Sequence, residues 1–174
     1  MAANVGSLSP TVDTIGGYVF LPLWSGALAI GHRPALRTIK ALRAARVSHI
    51  ATVLSRGEQA EQIGEAARAA GLEWTWIELG STKNLPKQRN PEIVHALSDL
   101  TRRLRSGARI YLHCSAGIHR TGMIAAALLF HNEYNEEDAR AALEVLRPIT
   151  ARDMGEERFR WARSFAPDAL TSDS

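Results

Sequence analysis

Cys114 is the only cysteine in the chain, and Arg120 stands six residues beyond it in the run HCSAGIHRTG, His113 to Gly122. A lone cysteine is ordinarily a small buried hydrophobe. This one lies between an apolar run, ARIYLHC, and an apolar helical stretch, MIAAALLFH, with Gly117 and Gly122 punctuating the turn. A loop that turns from a strand into a helix N-terminus aims backbone N–H groups at one point. Such a site stabilises a thiolate and binds an oxyanion. The chemistry this array could do is phosphoryl transfer to sulfur. Cys114 is expected as nucleophile, and Ser115, Ala116, Gly117, Ile118 and His119 with Arg120 as the phosphate cradle. The planar fork of Arg120 can grip two phosphate oxygens, a role lysine fills poorly. Gly117 suits the tight turn. The Thr121 hydroxyl can donate to the sulfur when it leaves, and His113 and Gly122 are expected to support the loop from outside.

The flanking pattern supplies elements able to position this loop. Gly26–His32 reads as a strand, Pro34 opens a helix through ALRTIKALRAA, and Val47–Leu54 reads as a second strand. Ser55 and Glu58 form a capping box for a helix ending before Gly71, and LEWTWIEL is a third strand. Asn90 and Pro91 start a helix with Ile93, Leu97, Leu100 and Leu104 on one face, and Gly107 ends it before ARIYLHC. Asn135 caps EEDARAALEVLR, which Pro148 closes. Phe159, Trp161 and Phe165 form a packing face further on. Alternating strands and helices predict an α/β fold, a central, mostly parallel sheet flanked by helices on both faces, with the site at the strands' carboxyl ends. One domain over residues 18–166 is expected, with flexible segments at 1–17 and 167–174.

With 174 residues, 45% hydrophobic and 22% charged, the chain suits one core. A net charge of +3 is too small for a protein that coats nucleic acid. One cysteine excludes a disulfide framework and a multi-cysteine zinc site. His32, His49, His95 and His131 lack ligand spacing, so no metal and no cofactor are expected. The first residues show no leader pattern, and no run reaches the roughly eighteen apolar residues of a membrane span. The expectation is a cytoplasmic protein whose partner is its phosphorylated substrate, phosphoprotein or polyanionic small molecule, with nucleic acid possible only as substrate.

HCSAGIHRTG resembles the signature loop of the protein tyrosine phosphatase superfamily, most closely its compact dual-specificity branch. ALAIGHRPALRTIKALRAARVSHIATVLS resembles that branch's opening strand, helix and strand, and YNEEDARAALEVLRP the helix after the signature helix, so the likeness spans roughly residues 26–165. It implies a metal-free, two-step hydrolysis through a cysteinyl-phosphate on Cys114, acting on phosphotyrosine or with dual specificity.

The sequence departs from the family at the general acid, an aspartate on a loop upstream of the cysteine. No Asp occurs from 14 through 98. Glu78 is the candidate in its place, while Asp153 and Glu156 are candidates for positioning water. A stable leaving group, such as phosphate from an anhydride, needs no such acid. Lys83, Lys87, Arg89 and His119 would make a basic rim. Three alternatives are weighed, the first two on these features and the last on the cysteine loop alone, where the Gly117 spacing and Thr121-Gly122 fit the phosphatase better. The first is a nucleotide, RNA 5′-phosphoanhydride or phosphoinositide phosphatase, the Arg120-Thr121-Gly122 ending resembling RNA triphosphatases. The second is a phosphate-binding pseudophosphatase, and the third a sulfurtransferase-like or arsenate-reductase-like thiol site. Trp74 and Trp76 alternate on one strand and are expected in the core rather than stacking on bases.

Overall fold

The structure is a computed structural model that describes residues 12–167. The chain opens with a meander, β1 (Asp13–Ile15), β2 (Tyr18–Leu23) and β3 (Gly26–Gly31), and continues through α1 (Ile39–Ala44), β4 (His49–Leu54), α2 (Ala60–Ala69) and β5 (Glu73–Glu78). Then come α3 (Pro91–Arg105), β6 (Arg109–His113), α4 (His119–His131), α5 (Glu136–Leu146), α6 (Pro148–Asp153) and α7 (Glu156–Arg163). The sheet order is β1-β2-β3-β6-β4-β5, with β3, β6, β4 and β5 parallel and the meander strands antiparallel. The α/β sheet is therefore mixed, its parallel part being the one expected.

Alternate residues of each strand feed opposite faces. Leu28, Ile30, Val53, Ile77, Ile110 and Leu112 pack under α3, α4, α5 and α7. Ala27, Ala29, Ile50, Leu54 and Tyr111 pack under α1 and α2. The apolar helix α4 is buried from Thr121 through Phe130, and Phe159, Trp161 and Phe165 close over it.

Two expectations are corrected. The segment expected to stay loose through residue 17 is a strand from Asp13, because Gly16 and Gly17 take φ of 61° and 82° and close a two-residue hairpin that pairs Ile15 with Tyr18. The rest of that segment, residues 1–11, and the expected tail from 168 lie outside the described residues. Pro148 not only follows the end of α5 but opens α6 as its first residue, where a missing N–H costs nothing.

Candidate active site

β6 lies between β3 and β4 and delivers Cys114 to the carboxyl edge of the parallel strands, and α4 begins five residues later at His119. The thiol is buried, and its Sγ accepts a hydrogen bond from the Gly117 N–H at 3.2 Å. The loop's carbonyls are all engaged on its outer side. Ser115 O accepts from the Arg33 N–H at 2.9 Å, and Ala116 O from Arg147 Nη1 at 3.3 Å. Gly117 O accepts from Arg147 Nη1 at 2.7 Å and Thr150 Oγ1 at 2.6 Å. In a trans peptide the C=O and the following N–H point opposite ways. Outward carbonyls at 115, 116 and 117 therefore turn the N–H groups of Ala116, Gly117 and Ile118 inward, toward the sulfur and whatever anion it meets.

Glycines permit this approach. Gly117 has φ of 71°, and a Cβ there would lie 2.3 Å from the Gly31 carbonyl. At Gly122 a Cβ would lie 2.8 Å from Met154 Cβ, so only glycine lets α6 come close enough for Thr150 and Arg147 to reach the loop. From the other side, Tyr111 OH donates to His32 O at 2.8 Å and fixes the turn against which Gly117 packs.

Behind the loop, His113 is fully buried, and burial pushes its pKa down to about 4, leaving the ring neutral. Its Nδ1 lies 3.0 Å from Cys114 O, an acceptor only, so Nδ1 carries the proton and Nε2 accepts from Thr52 Oγ1 at 2.9 Å. Thr52 in turn accepts from Trp74 Nε1 at 2.9 Å. The Thr121 hydroxyl sits buried without a hydrogen-bond partner among the described residues, and the sulfur's bond comes from the Gly117 N–H instead.

Arg120 is held by a residue that sequence reading placed only in a capping box. Glu58 Oε2 accepts from Arg120 Nη1 at 2.5 Å, and Oε1 from Nη2 at 2.8 Å. Arg120 Nη1 also donates to Leu79 O and Nη2 to Ser115 Oγ, so all four terminal hydrogens are engaged. Ser115 Oγ donates to Glu58 at 2.7 Å, and the Ser55 N–H and hydroxyl complete its shell at 2.8 and 2.7 Å. The Arg120 guanidinium, with Ser115 and Ser55 adding to it, holds the Glu58 carboxyl well below the usual carboxylate range. Glu58 stays ionised and has no proton to give. The capping box was legible; its partner Arg120 depends on β4 lying beside β6, which spacing does not reveal.

These residues open onto a cleft of about 390 Å³ lined by Ser55, Glu58, Ser81, Thr82, Cys114, Ser115, Ala116, His119 and Arg120. A protein-tyrosine phosphatase family model matches residues 74–159, which carry Cys114, Arg120, Arg147 and Thr150. Over that stretch this chain is similar to the protein tyrosine phosphatases.

Solved phosphatase structures share its fold. A kinase associated phosphatase with its catalytic-site cysteine changed to serine is 16% identical, covering 97% of this chain and 100% of that one, with a TM-score of 0.70. PTPMT1 in complex with PI(5)P is 16% identical over 84% of this chain and 93% of that one, TM-score 0.68. P. aeruginosa TpbA in complex with pTyr is 18% identical over 95% and 91%, TM-score 0.56. No protein of curated function matches the sequence.

Neither Glu78, weighed as the acid, nor Asp153 and Glu156, weighed for positioning water, is among the residues that line the cleft. Glu78 ends β5 exposed and ion-paired to Arg56 at 2.9 Å, and the Arg56 hydrogen bond lowers its pKa. It lines a separate groove. Asp153 is paired with Arg152, and Glu156 with Arg140. Of the expected basic rim, His119 lines the cleft, whereas Arg89 turns back to bond Ser164 O at 2.7 Å. Lys83 and Lys87 are not among the cleft's lining residues.

Proposed function

We propose that this chain hydrolyses phosphomonoesters of proteins, phosphotyrosine first, through a cysteinyl-phosphate on Cys114. The carrying observation is the buried sulfur facing an inward-turned backbone loop whose arginine, six residues on, is locked in place by Glu58. Inward N–H groups favour the thiolate and receive the phosphate oxygens. The thiolate attacks phosphorus, the P–O bond to the leaving group breaks, and that oxygen takes up a proton. Water then cleaves the P–S bond, releasing inorganic phosphate and restoring the thiolate. Arg120 can turn a terminal N–H from Ser115 Oγ to the phosphate while Glu58 keeps the fork aligned. Among the described residues that line the cleft, His119 is the one imidazole, so the proton for the leaving oxygen comes from it or from water.

A second reading, hydrolysis of a phosphoanhydride or another polyanion, is favoured by one observation: among the described residues, the only carboxylate lining the cleft is the ion-paired Glu58. Leaving groups that are stable anions would then be preferred.

Phosphate release without metal, measured across aryl phosphates of graded leaving-group pKa, a phosphotyrosine peptide and a nucleoside triphosphate, separates these readings. Turnover of the peptide with a shallow leaving-group dependence, abolished in Cys114→Ser, supports the first. A steep dependence with the triphosphate preferred supports the second, and capture of phosphopeptide without release would make the chain a phosphate-binding pseudophosphatase.

A further inference from the structure

A groove of about 640 Å³ between β5 and α3 is larger than the cleft at Cys114, of about 390 Å³. Its floor includes Thr75, Ile77 and Leu79, and its wall includes Glu92, His95 and Asp99. β5 ends the sheet, and no further strand pairs with it among the described residues. The Glu73 and Leu79 N–H groups donate to Ser48 O and Leu54 O on the β4 side. Backbone polar groups alternate along a strand, so those of Trp74, Trp76 and Glu78 face outward. The strand, EWTWIE, has no proline or lysine to blunt its free edge, and its two charges, Glu73 and Glu78, stand at its ends. It runs toward the catalytic loop, and the two sites meet at Leu79, which lines the groove and whose carbonyl accepts from Arg120 at 3.1 Å.

We propose that the segment of a phosphoprotein substrate following its phosphorylated residue adds to β5 as an antiparallel strand, placing alternate side chains in this groove. The inference rests on the phosphoprotein reading above. Three outward pairs of N–H and C=O groups are matched by a polypeptide backbone and by no nucleotide or inositol phosphate. Because β5 points at the site, an antiparallel addition, the more stable pairing, puts the phosphoresidue at the segment's N-terminal end. Of the groove's carboxylates, Glu78 and Asp99 are bound by arginines. Glu92 has no ion-pair partner among the described residues, so a lysine or arginine in the added strand suits it.

The test uses the full chain and a phosphotyrosine peptide followed by eight residues of alternating valine and lysine, beside the same peptide truncated after the phosphotyrosine and one N-methylated at alternate backbone positions. The long peptide should have a KM about tenfold below the truncated one, and N-methylation should remove that gain. The exposed-site variants Glu92→Lys and His95→Trp should raise KM for the long peptide alone, with p-nitrophenyl phosphate hydrolysis unchanged. With Cys114→Ser and the long peptide, deuterium exchange at the Trp74, Trp76 and Glu78 amides should slow. Equal KM values for all three peptides, or no added protection, would overturn the docking while leaving the phosphatase reading intact. If p-nitrophenyl phosphate is hydrolysed but no phosphopeptide is, the phosphoprotein reading fails and the docking falls with it.

Discussion

Two loops face each other across the catalytic cleft, and they are built on opposite plans. The signature loop, from Cys114 to Ile118, is fixed from behind by His113, from outside by Arg147, Thr150 and Arg33, and across the cleft by Glu58 gripping Arg120. The loop from Gly80 to Arg89 is held by side chains of α7 and, through Arg89, by the backbone that follows α7. Arg158 bonds the Thr82 hydroxyl and carbonyl at 3.0 and 3.2 Å, and Trp161 Nε1 bonds Pro86 O at 2.8 Å. It offers the cleft Ser81 and Thr82 and no charge. The half of the site proposed to grip phosphate is thus pre-organised, its arginine already paired. The half that would meet the leaving group is neutral. Rate should therefore depend steeply on the first and weakly on the second.

The largest break in that contrast comes from Glu58→Gln. A carboxamide keeps the size of Glu58 but offers one acceptor oxygen where Arg120, Ser115 and the Ser55 cap use two. Arg120 would keep its charge and lose its alignment, so kcat/KM for aryl phosphates should fall by about a hundredfold. Circular dichroism and phosphate-binding titrations should show a folded chain with weakened binding. An unchanged rate would mean that Arg120 needs no partner.

The order of legibility follows the same division. Cys114, Gly117 and Arg120 were readable because one contiguous turn joining a strand to a helix imposes fixed offsets on them. The strands from β3 onward were readable because each is apolar and bounded by turn residues. The roles of Glu58, Arg147 and Thr150 were not, since each acts through a contact at least thirty residues away that exists only once β4 lies beside β6 and α6 lies against α4. Pro148 carried a usable signal, proline at a first helical position, but was read only as a stop. The glycine pair at 16 and 17 likewise announced a hairpin that polarity concealed. Glu78 drew notice from its place in the chain, yet the strand pairing points it to Arg56.

Smaller effects test how rigidly the phosphate-gripping loop must be held. Arg147→Met keeps the stem and removes the donor to Gly117 O, leaving Thr150 as the remaining anchor. Turnover should fall about tenfold, with KM moving less than kcat because the carbonyls still point outward in most molecules. Stopped-flow measurement of the cysteinyl-phosphate steps would locate the loss.

Acid should weaken the fold, both behind the loop and at the far end of β4. His113 and His49 are both lowered to about 4 by burial, against roughly 6.5 for an unfolded histidine. Between those values the unfolded chain binds more protons than the folded one, so stability rises with pH across that window and is lost as pH falls through it. Each group contributes on the order of 3 kcal/mol when the whole window is crossed. Thermal unfolding from pH 7 to pH 4 should show the decline, and His113→Gln should flatten it.

The smallest predicted effect is the most discriminating for the neutral loop. Glu78→Gln removes the one carboxylate that chain position recommended as an acid, but Glu78 is exposed, paired with Arg56 and set along the β5 groove rather than the cleft. It has neither the reach nor the proton affinity to protonate a leaving oxygen. The leaving-group dependence of kcat/KM should therefore superimpose on that of the parent chain at every pH. A rate loss confined to poor leaving groups would place Glu78 at the reacting oxygen and show that the Gly80–Arg89 loop moves inward when substrate binds. With no such loss, the asymmetry between the two loops is a property of the working enzyme, and substrates that leave without a donated proton gain the most from a cleft built this way.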